Sequence, residues 1–366
     1  MRIIFHCGLA KTGSTFLQEN IFKKFNVLND GIFYNPIKLL TLIVTCYNHR
    51  YDHEAYSRLK NEIRDYIDEI EAKHHPKILF CSYEPFVGGS SAWEFPERLK
   101  VISEVVPEAE IIVVLRHQVN WLVSLYKQYI HHALNPYKSA TQMRILSDNR
   151  MIKIEQFLNY EHGDFGQQDL TKDHVNMSVK SANWNTLLEC LQENFVAGRW
   201  HLFFYEDFIA SPKSFAEEFM KIILGTHREL GANVDFDKRY NIGFSSKAVK
   251  LSAMKIRLTY MLPFRFSVIQ AVDHGLIRLA DRQGNDREKF KKLVLLFRRR
   301  IRALFVYFGW PNTMRTMDRV FNFNGSLLTD SLRSDLEKVV RKMNSEFVEH
   351  LSQVRPDIAV PEKYRK

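Results

Sequence analysis

Gly8-Leu9-Ala10-Lys11-Thr12-Gly13-Ser14-Thr15 is the stretch on which the reading of this chain turns. It follows an apolar run, Ile3-Ile4-Phe5, and precedes Phe16, Leu17, Ile21, Phe22 and Phe25, which recur at helical spacing. The pattern predicts a strand, a tight loop and a helix over residues 15–25. A helix start offers unpaired backbone N–H groups and the positive end of the helix dipole, so such a loop attracts anions. The two glycines let the backbone approach an anion closely and adopt torsions that other residues avoid.

The spacing Gly8-x4-Gly13 is that of a nucleotide P-loop. In an ATP-binding loop a Lys directly follows the second Gly; here Ser14 stands there and the Lys lies inside the loop, at Lys11. About a hundred residues on, Ile111-Ile112-Val113-Val114-Leu115 is a short β-branched run suited to a strand buried on both faces of a parallel sheet. Arg116 ends it, and Trp121, Leu122, Leu125, Tyr126 and Tyr129 then recur at helical spacing, with Ser124 in the early turns of that helix.

Lys11-Thr12-Gly13-Ser14-Thr15 resembles the 5′-phosphosulfate loop of sulfotransferases that use PAPS (3′-phosphoadenosine 5′-phosphosulfate). The pair Arg116…Ser124 resembles the same family's 3′-phosphate site. An arginine suits that task because its planar fork presents several fixed donors to one phosphate. Two further stretches are similar to the family: Tyr205-Glu206-Asp207 after a late apolar run, and a closing helix carrying Leu332, Leu336, Val340, Met343, Asn344 and Phe347.

The resemblance implies PAPS as donor and PAP as product, with no metal required. It places Lys11 at the oxygen bridging sulfate and phosphate. Thr12, Gly13, Ser14, Thr15 and Phe16 form the cradle of the 5′-phosphate, and Arg116 and Ser124 hold the 3′-phosphate. It also implies a proton acceptor just beyond the middle strand, Lys77-Ile78-Leu79-Phe80-Cys81, where Glu84 stands; His6 is the second candidate. The acceptor it implies is a hydroxyl, or an amine, of a carbohydrate or glycolipid. Glu206 and Asp207 read as acidic residues capping the next helix, from Ser211-Pro212 onward. A loose polar cluster at Arg239, Asn241, Ser245 and Lys247 offers Lys247 as a weak addition.

The chain has 366 residues, 45% of them hydrophobic and 13% aromatic, enough for one large or two ordinary domains with a substantial core. Nothing reaches the roughly 18 uninterrupted apolar residues of a membrane span. Residues 2–6 read as a first strand rather than a signal peptide. The four cysteines, Cys7, Cys46, Cys81 and Cys190, show no close-pair spacing and read as reduced core thiols. The expectation is a cytoplasmic protein. Its 52 basic against 42 acidic residues give a net charge of +10, which favours anionic partners.

Apolar segments at 2–6, 77–81, 111–115 and 201–205 alternate with helical patterns at 15–25, 55–72, 118–133 and 184–195. The alternation predicts an α/β fold, a P-loop-like three-layer arrangement of a central parallel sheet flanked by helices. One domain is expected over 1–366, with a loop-rich insert at 134–183 and a basic helical elaboration at 248–320. Between 287 and 302 there are eight Lys or Arg and one acidic residue. Phe290, Leu293, Val294, Phe297, Ile301, Leu304 and Phe305 share one stripe there, so the segment is a candidate for peripheral contact with an anionic membrane. His49/His53, His74-His75 and His131-His132 lack the Cys or carboxylate company of a zinc site. Two other readings stay open. A P-loop kinase would need ATP and Mg²⁺, against which the displaced Lys argues. A non-catalytic protein binding anionic membrane would use the charge alone; no nucleic-acid motif is present.

Overall fold

The computed structural model describes residues 1–24, 31–87, 95–133, 154–161, 164–165, 179–227, 229–230, 234–236 and 327–365. The chain divides into two compact units, one of Met1–Leu125, Met177–Ile242 and Ser334–Lys366, the other of Tyr126–Asn176 and Gly243–Arg333.

The first unit is built on β1 (Arg2–Gly8), β2 (Ile32–Tyr34), β3 (Ile78–Ser82) and β4 (Glu110–Leu115), and a last strand, Trp200–Phe204, all parallel. Helical elements fill the connections: α1 (Ser14–Phe16), α2 (Ile37–Asn48), α3 (His53–His74), α4 (Phe95–Val105) and α5 (Gln118–Ala133). The second unit shows a short helix, α6 (Ile154–Phe157), and an antiparallel hairpin of β5 (Tyr160–Glu161) and β6 (Asp164–Phe165), where Tyr160 packs on Phe165 at 4.9 Å. The first unit then resumes with α7 (Trp184–Asn194), the strand Trp200–Phe204 as β7, α8 (Tyr205–Ala210), α9 (Pro212–Leu224) and, from Ser334 on, the long α10 (Asp330–Val354).

Strand order in the five-stranded sheet is β2-β3-β1-β4-β7. The chain lays β2 and β3 on one side of β1, then crosses to the other for β4 and β7. The crevice beyond the carboxyl ends of β1 and β4 is therefore the switch point where open parallel sheets bind ligands. Alternate residues of each strand face opposite sides. Ile4, Ile32, Ile78, Phe80, Ile112 and Val114 join Phe16, Ile21 and Phe22 after β1 and Phe215, Phe219 and Ile223 of α9 in one core. Ile3, Phe5, Leu79, Ile111 and Val113 face the other way and are buried as well. Both faces are thus covered, as a parallel sheet requires. Phe22 meets Phe80 edge-on at 4.8 Å and Phe219 packs on Phe203 at 5.0 Å. Contacts of this kind contribute about 0.5–1.5 kcal/mol each beyond area burial.

Local sequence explains most boundaries. Asp52 caps α3 by accepting from Ala55 N–H, and His75 closes it in the left-handed region. Pro212 opens α9, and Gly225 at φ 73° ends it. On α10, Leu332, Leu336, Val340, Met343, Phe347 and Leu351 form one buried stripe.

The segment expected as a regular helix at 15–25 differs. Ser14–Phe16 is α-helical, Leu17–Ile21 is wound as a π-turn, and Phe22–Lys24 is 3-10. The wide turn lets Gln18 reach Ser82 while buried Asn20 donates to the Asp235 carbonyl. All four cysteines are free and buried. Of the insert expected at 134–183, only 154–161, 164–165 and 179–183 are described, and the basic elaboration at 248–320 lies outside the described residues. No helix among the described residues is long and apolar enough to cross a membrane.

Candidate active site

The turn after β1 is tightly constrained backbone. Lys11 sits at φ 70° and Gly13 at φ 86°, both in the left-handed region. For a residue with a Cβ that conformation is uncommon, and it concentrates at functional sites. Gly13 precedes α1, and its carbonyl accepts from the amides of Phe16 (2.9 Å) and Leu17 (3.2 Å). A Cβ on Gly8 would lie 2.1 Å from Ser14 Oγ, so only glycine permits this return of the helix onto the strand end.

Within the turn the expected cradle residues take different parts. Thr12 is buried and its hydroxyl donates to the Leu9 carbonyl at 2.6 Å, so that proton is used inside the loop. Ser14 Oγ is buried without a partner among the described residues. Thr15 is half-buried in α1. The amide of Phe16 is used on Gly13, and its ring packs on Phe208 at 5.0 Å, so Phe16 contributes packing.

Arg116 leaves the end of β4 and reaches this turn. Its Nη1 donates to the Lys11 carbonyl at 2.8 Å, its guanidinium carbon lies 4.5 Å from the centre of the Tyr205 ring, and its Nε is buried without a partner among the described residues. Burial pulls its pKa down, opposed by Tyr205, Glu206 and Tyr364. Two indoles brace the assembly. Trp121 Nε1 donates to the Ala10 carbonyl at 2.9 Å and Trp184 Nε1 to the Arg116 carbonyl at 3.1 Å, and the two rings meet edge-on at 5.1 Å. Ser124, half-buried on α5, makes no direct hydrogen bond to Arg116 among the described residues.

Glu84 opens the 3-10 turn Glu84–Val87 just beyond β3. The exit of β3 is fixed by a polar knot at Ser82. Asn35 Oδ1 accepts from Ser82 N–H (2.6 Å) and Asn35 Nδ2 donates to its carbonyl (3.0 Å). Gln18 Nε2 donates to the same carbonyl and to Ser82 Oγ, both at 3.1 Å. His6 Nδ1 shares a 2.8 Å hydrogen bond with that hydroxyl. Buried Phe86 anchors the following turn edge-on against Phe5 at 5.2 Å.

Glu84 and Arg116 both act electrostatically on Lys11. Burial lowers the Lys11 pKa, Glu84 opposes that and Arg116 adds to it. Burial raises the Glu84 pKa and Lys11 opposes it. A carboxylate held above its usual range and beside a cation can take a proton from a neutral hydroxyl. His6 is fully buried and pushed down to about 3 by burial, so it is a neutral member of the Ser82 knot.

Sequence reasoning does not single out Gln18, Asn35, Trp121, Trp184 or Tyr364. The tryptophans read as apolar helix positions, and their N–H groups act at a range no local pattern reports. Glu206 corrects an expectation. It does not cap the helix from Pro212; one oxygen accepts from His117 N–H (3.1 Å) and the other from the Tyr364 hydroxyl (3.2 Å). Arg239, Asn241, Ser245 and Lys247 lie outside the described residues. Among the described residues, no three His, Cys, Asp or Glu side chains gather in a way that could hold a metal ion.

Among solved structures, the chain is similar to the crystal structure of a sulfotransferase from Alicyclobacillus acidocaldarius, at 14% identity and a TM-score of 0.38, over 66% of this chain and 87% of that one. No protein-family model matches the chain and no curated protein matches it.

Proposed function

We propose that the chain is a sulfotransferase that moves a sulfuryl group from PAPS to a hydroxyl, or an amine, of a carbohydrate or glycolipid acceptor. The observation that supports this reading is Arg116 donating to the Lys11 carbonyl of a glycine-bounded turn at the switch point of the sheet, with Glu84 acting electrostatically on Lys11. The residues present fit a nucleotide phosphorylated at two positions. Ser14 Oγ and Arg116 Nε are buried donors without partners among the described residues, and Gly8, lacking a Cβ, lets Ser14 Oγ sit against the strand end.

PAPS, when bound, supplies the sulfuryl group on a phosphate that can leave. Ser14 donates its hydroxyl proton to the 5′-phosphate, beside the amides that open α1. Arg116, with Ser124 as its expected partner, holds the 3′-phosphate. Lys11 places its ammonium at the bridging oxygen, where negative charge grows as the sulfur–oxygen bond breaks. A positioned cation in a water-poor site stabilises that charge without reorganising. Glu84 takes the proton of the acceptor hydroxyl as its oxygen bonds to sulfur. Peripheral contact with an anionic membrane through residues 287–305 is a further part of the proposal, tested by vesicle flotation.

The experiment is incubation with PAPS, a chelator and a panel of glycan and glycolipid acceptors, with PAP and sulfated product separated by chromatography. Acceptor-dependent PAP release that Lys11→Ala abolishes is the expected result. Transfer only from ATP, and only with Mg²⁺, would replace this reading with a kinase.

A further inference from the structure

The carboxyl ends of β4 and β7 are joined to the end of the chain through one carboxylate. Leu115 and Phe204 are in register across these strands, so Arg116-His117 and Tyr205-Glu206 leave the sheet side by side. Tyr205 lies under the Arg116 guanidinium, and Glu206 accepts from the His117 amide. The second oxygen of Glu206 is taken by Tyr364, in the turn Glu362–Tyr364. Tyr364 is 1% exposed, and its ring packs edge-on against Phe204 at 5.0 Å and His117 at 5.6 Å. Neither oxygen of Glu206 pairs with Arg116, although the carboxylate acts electrostatically on that guanidinium.

A carboxylate beside an arginine would ordinarily close a forked ion pair with it. Here both oxygens are occupied by neutral donors, and Arg116 keeps a buried Nε without a partner among the described residues. We infer that Tyr364 is a positioning residue for Arg116: by holding the Glu206 carboxylate away, the end of the chain leaves the guanidinium available to the 3′-phosphate. The inference rests on the role given to Arg116 above. It makes selectivity for a 3′-phosphorylated nucleotide depend on a side chain that touches no nucleotide.

The test is calorimetric titration with PAP and with adenosine 5′-monophosphate, which lacks only the 3′-phosphate. Tyr364→Phe keeps the ring and removes the donor. It is expected to weaken PAP binding roughly tenfold to a hundredfold, the scale of one charge-assisted hydrogen bond, with monophosphate binding unchanged. Adding Glu206→Gln to Tyr364→Phe is expected to restore most of the loss, because a neutral amide does not compete for the guanidinium; Glu206→Gln alone keeps the wild-type preference. Melting temperatures confirm that each variant is folded. A Tyr364→Phe protein with the wild-type preference, equal weakening of both nucleotides, or a double variant no better than Tyr364→Phe overturns the inference. A wild-type protein that binds both nucleotides equally overturns the role of Arg116 itself, and the inference with it.

Discussion

Two crossings leave neighbouring strands of the same sheet, with His6 of β1 in register with Ser82 of β3, and they are built in opposite ways. The turn after β1 is long, holds two residues at positive φ and presents a lysine. The exit of β3 is short, is tied down by Asn35, Gln18 and His6, and presents a carboxylate. Burial acts on both charges in the same sense, pulling Lys11 down and pushing Glu84 up, each towards its neutral form. Their mutual attraction works against this. The contrast teaches that one end of a sheet can hold a partly buried cation and a partly buried carboxylate when the backbone fixes each from a different strand.

The largest effect is expected at the cationic crossing. Lys11→Ala should lower sulfuryl transfer by about 10³-fold, the upper range for losing one preorganised charge-stabilising group. The melting temperature should hold, since alanine carries the same Cβ at φ 70°. Full activity in that variant would remove the asymmetry between the two turns. At the acidic crossing, Glu84→Gln should cost about 10²-fold in turnover and leave PAP affinity as it was. Wild-type turnover should fall as the pH drops through the raised pKa of Glu84, and the Gln variant should lose that limb; an unchanged profile places the base elsewhere. A smaller effect is expected from Gly8→Ala. Its Cβ meets Ser14 Oγ, an overpacking worth about 1–3 kcal/mol, and both denaturant midpoint and PAP affinity should fall together.

The smallest effect sharpens the comparison through stability alone. Because the folded pKa of Glu84 is raised, the folded state holds that proton more tightly than the unfolded chain. Its contribution is complete below the ordinary carboxylate value of 4.5 and is lost as pH rises through the folded value. Glu84→Gln should therefore match wild-type stability at the acid end and exceed it increasingly towards neutrality. Equal melting curves at both ends would show that Glu84 is not desolvated.

The parts of this fold legible in the sequence are those where local pattern and tertiary demand agree. β3 and β4 are nearly continuous apolar runs because strands covered on both faces need them, and β1 and β7 are mostly apolar around His6 and His201. α2 is the counter-example: Thr41-Leu42-Ile43-Val44-Thr45 has the composition of a strand. It is helical because one face buries Leu39, Leu42, Ile43 and Cys46, while the Thr41 and Thr45 hydroxyls donate back to the carbonyls of Ile37 and Thr41. β2, three residues at the sheet edge, is too short to leave a pattern. In the site, Lys11 and Arg116 are legible because each stands at the end of a readable strand. The links from Trp121 to Ala10, from Asn35 to Ser82 and from Tyr364 to Glu206 are not, because they join residues brought together only by the fold.

Calorimetry with PAP, ADP and ATP in the presence of a chelator tests the joint action of the Lys11 turn and Arg116 most directly. The expected result is metal-independent binding of PAP at least about tenfold tighter than ADP or ATP, the scale of one extra charged phosphate contact. ATP binding that requires Mg²⁺ and exceeds that of PAP would contradict it.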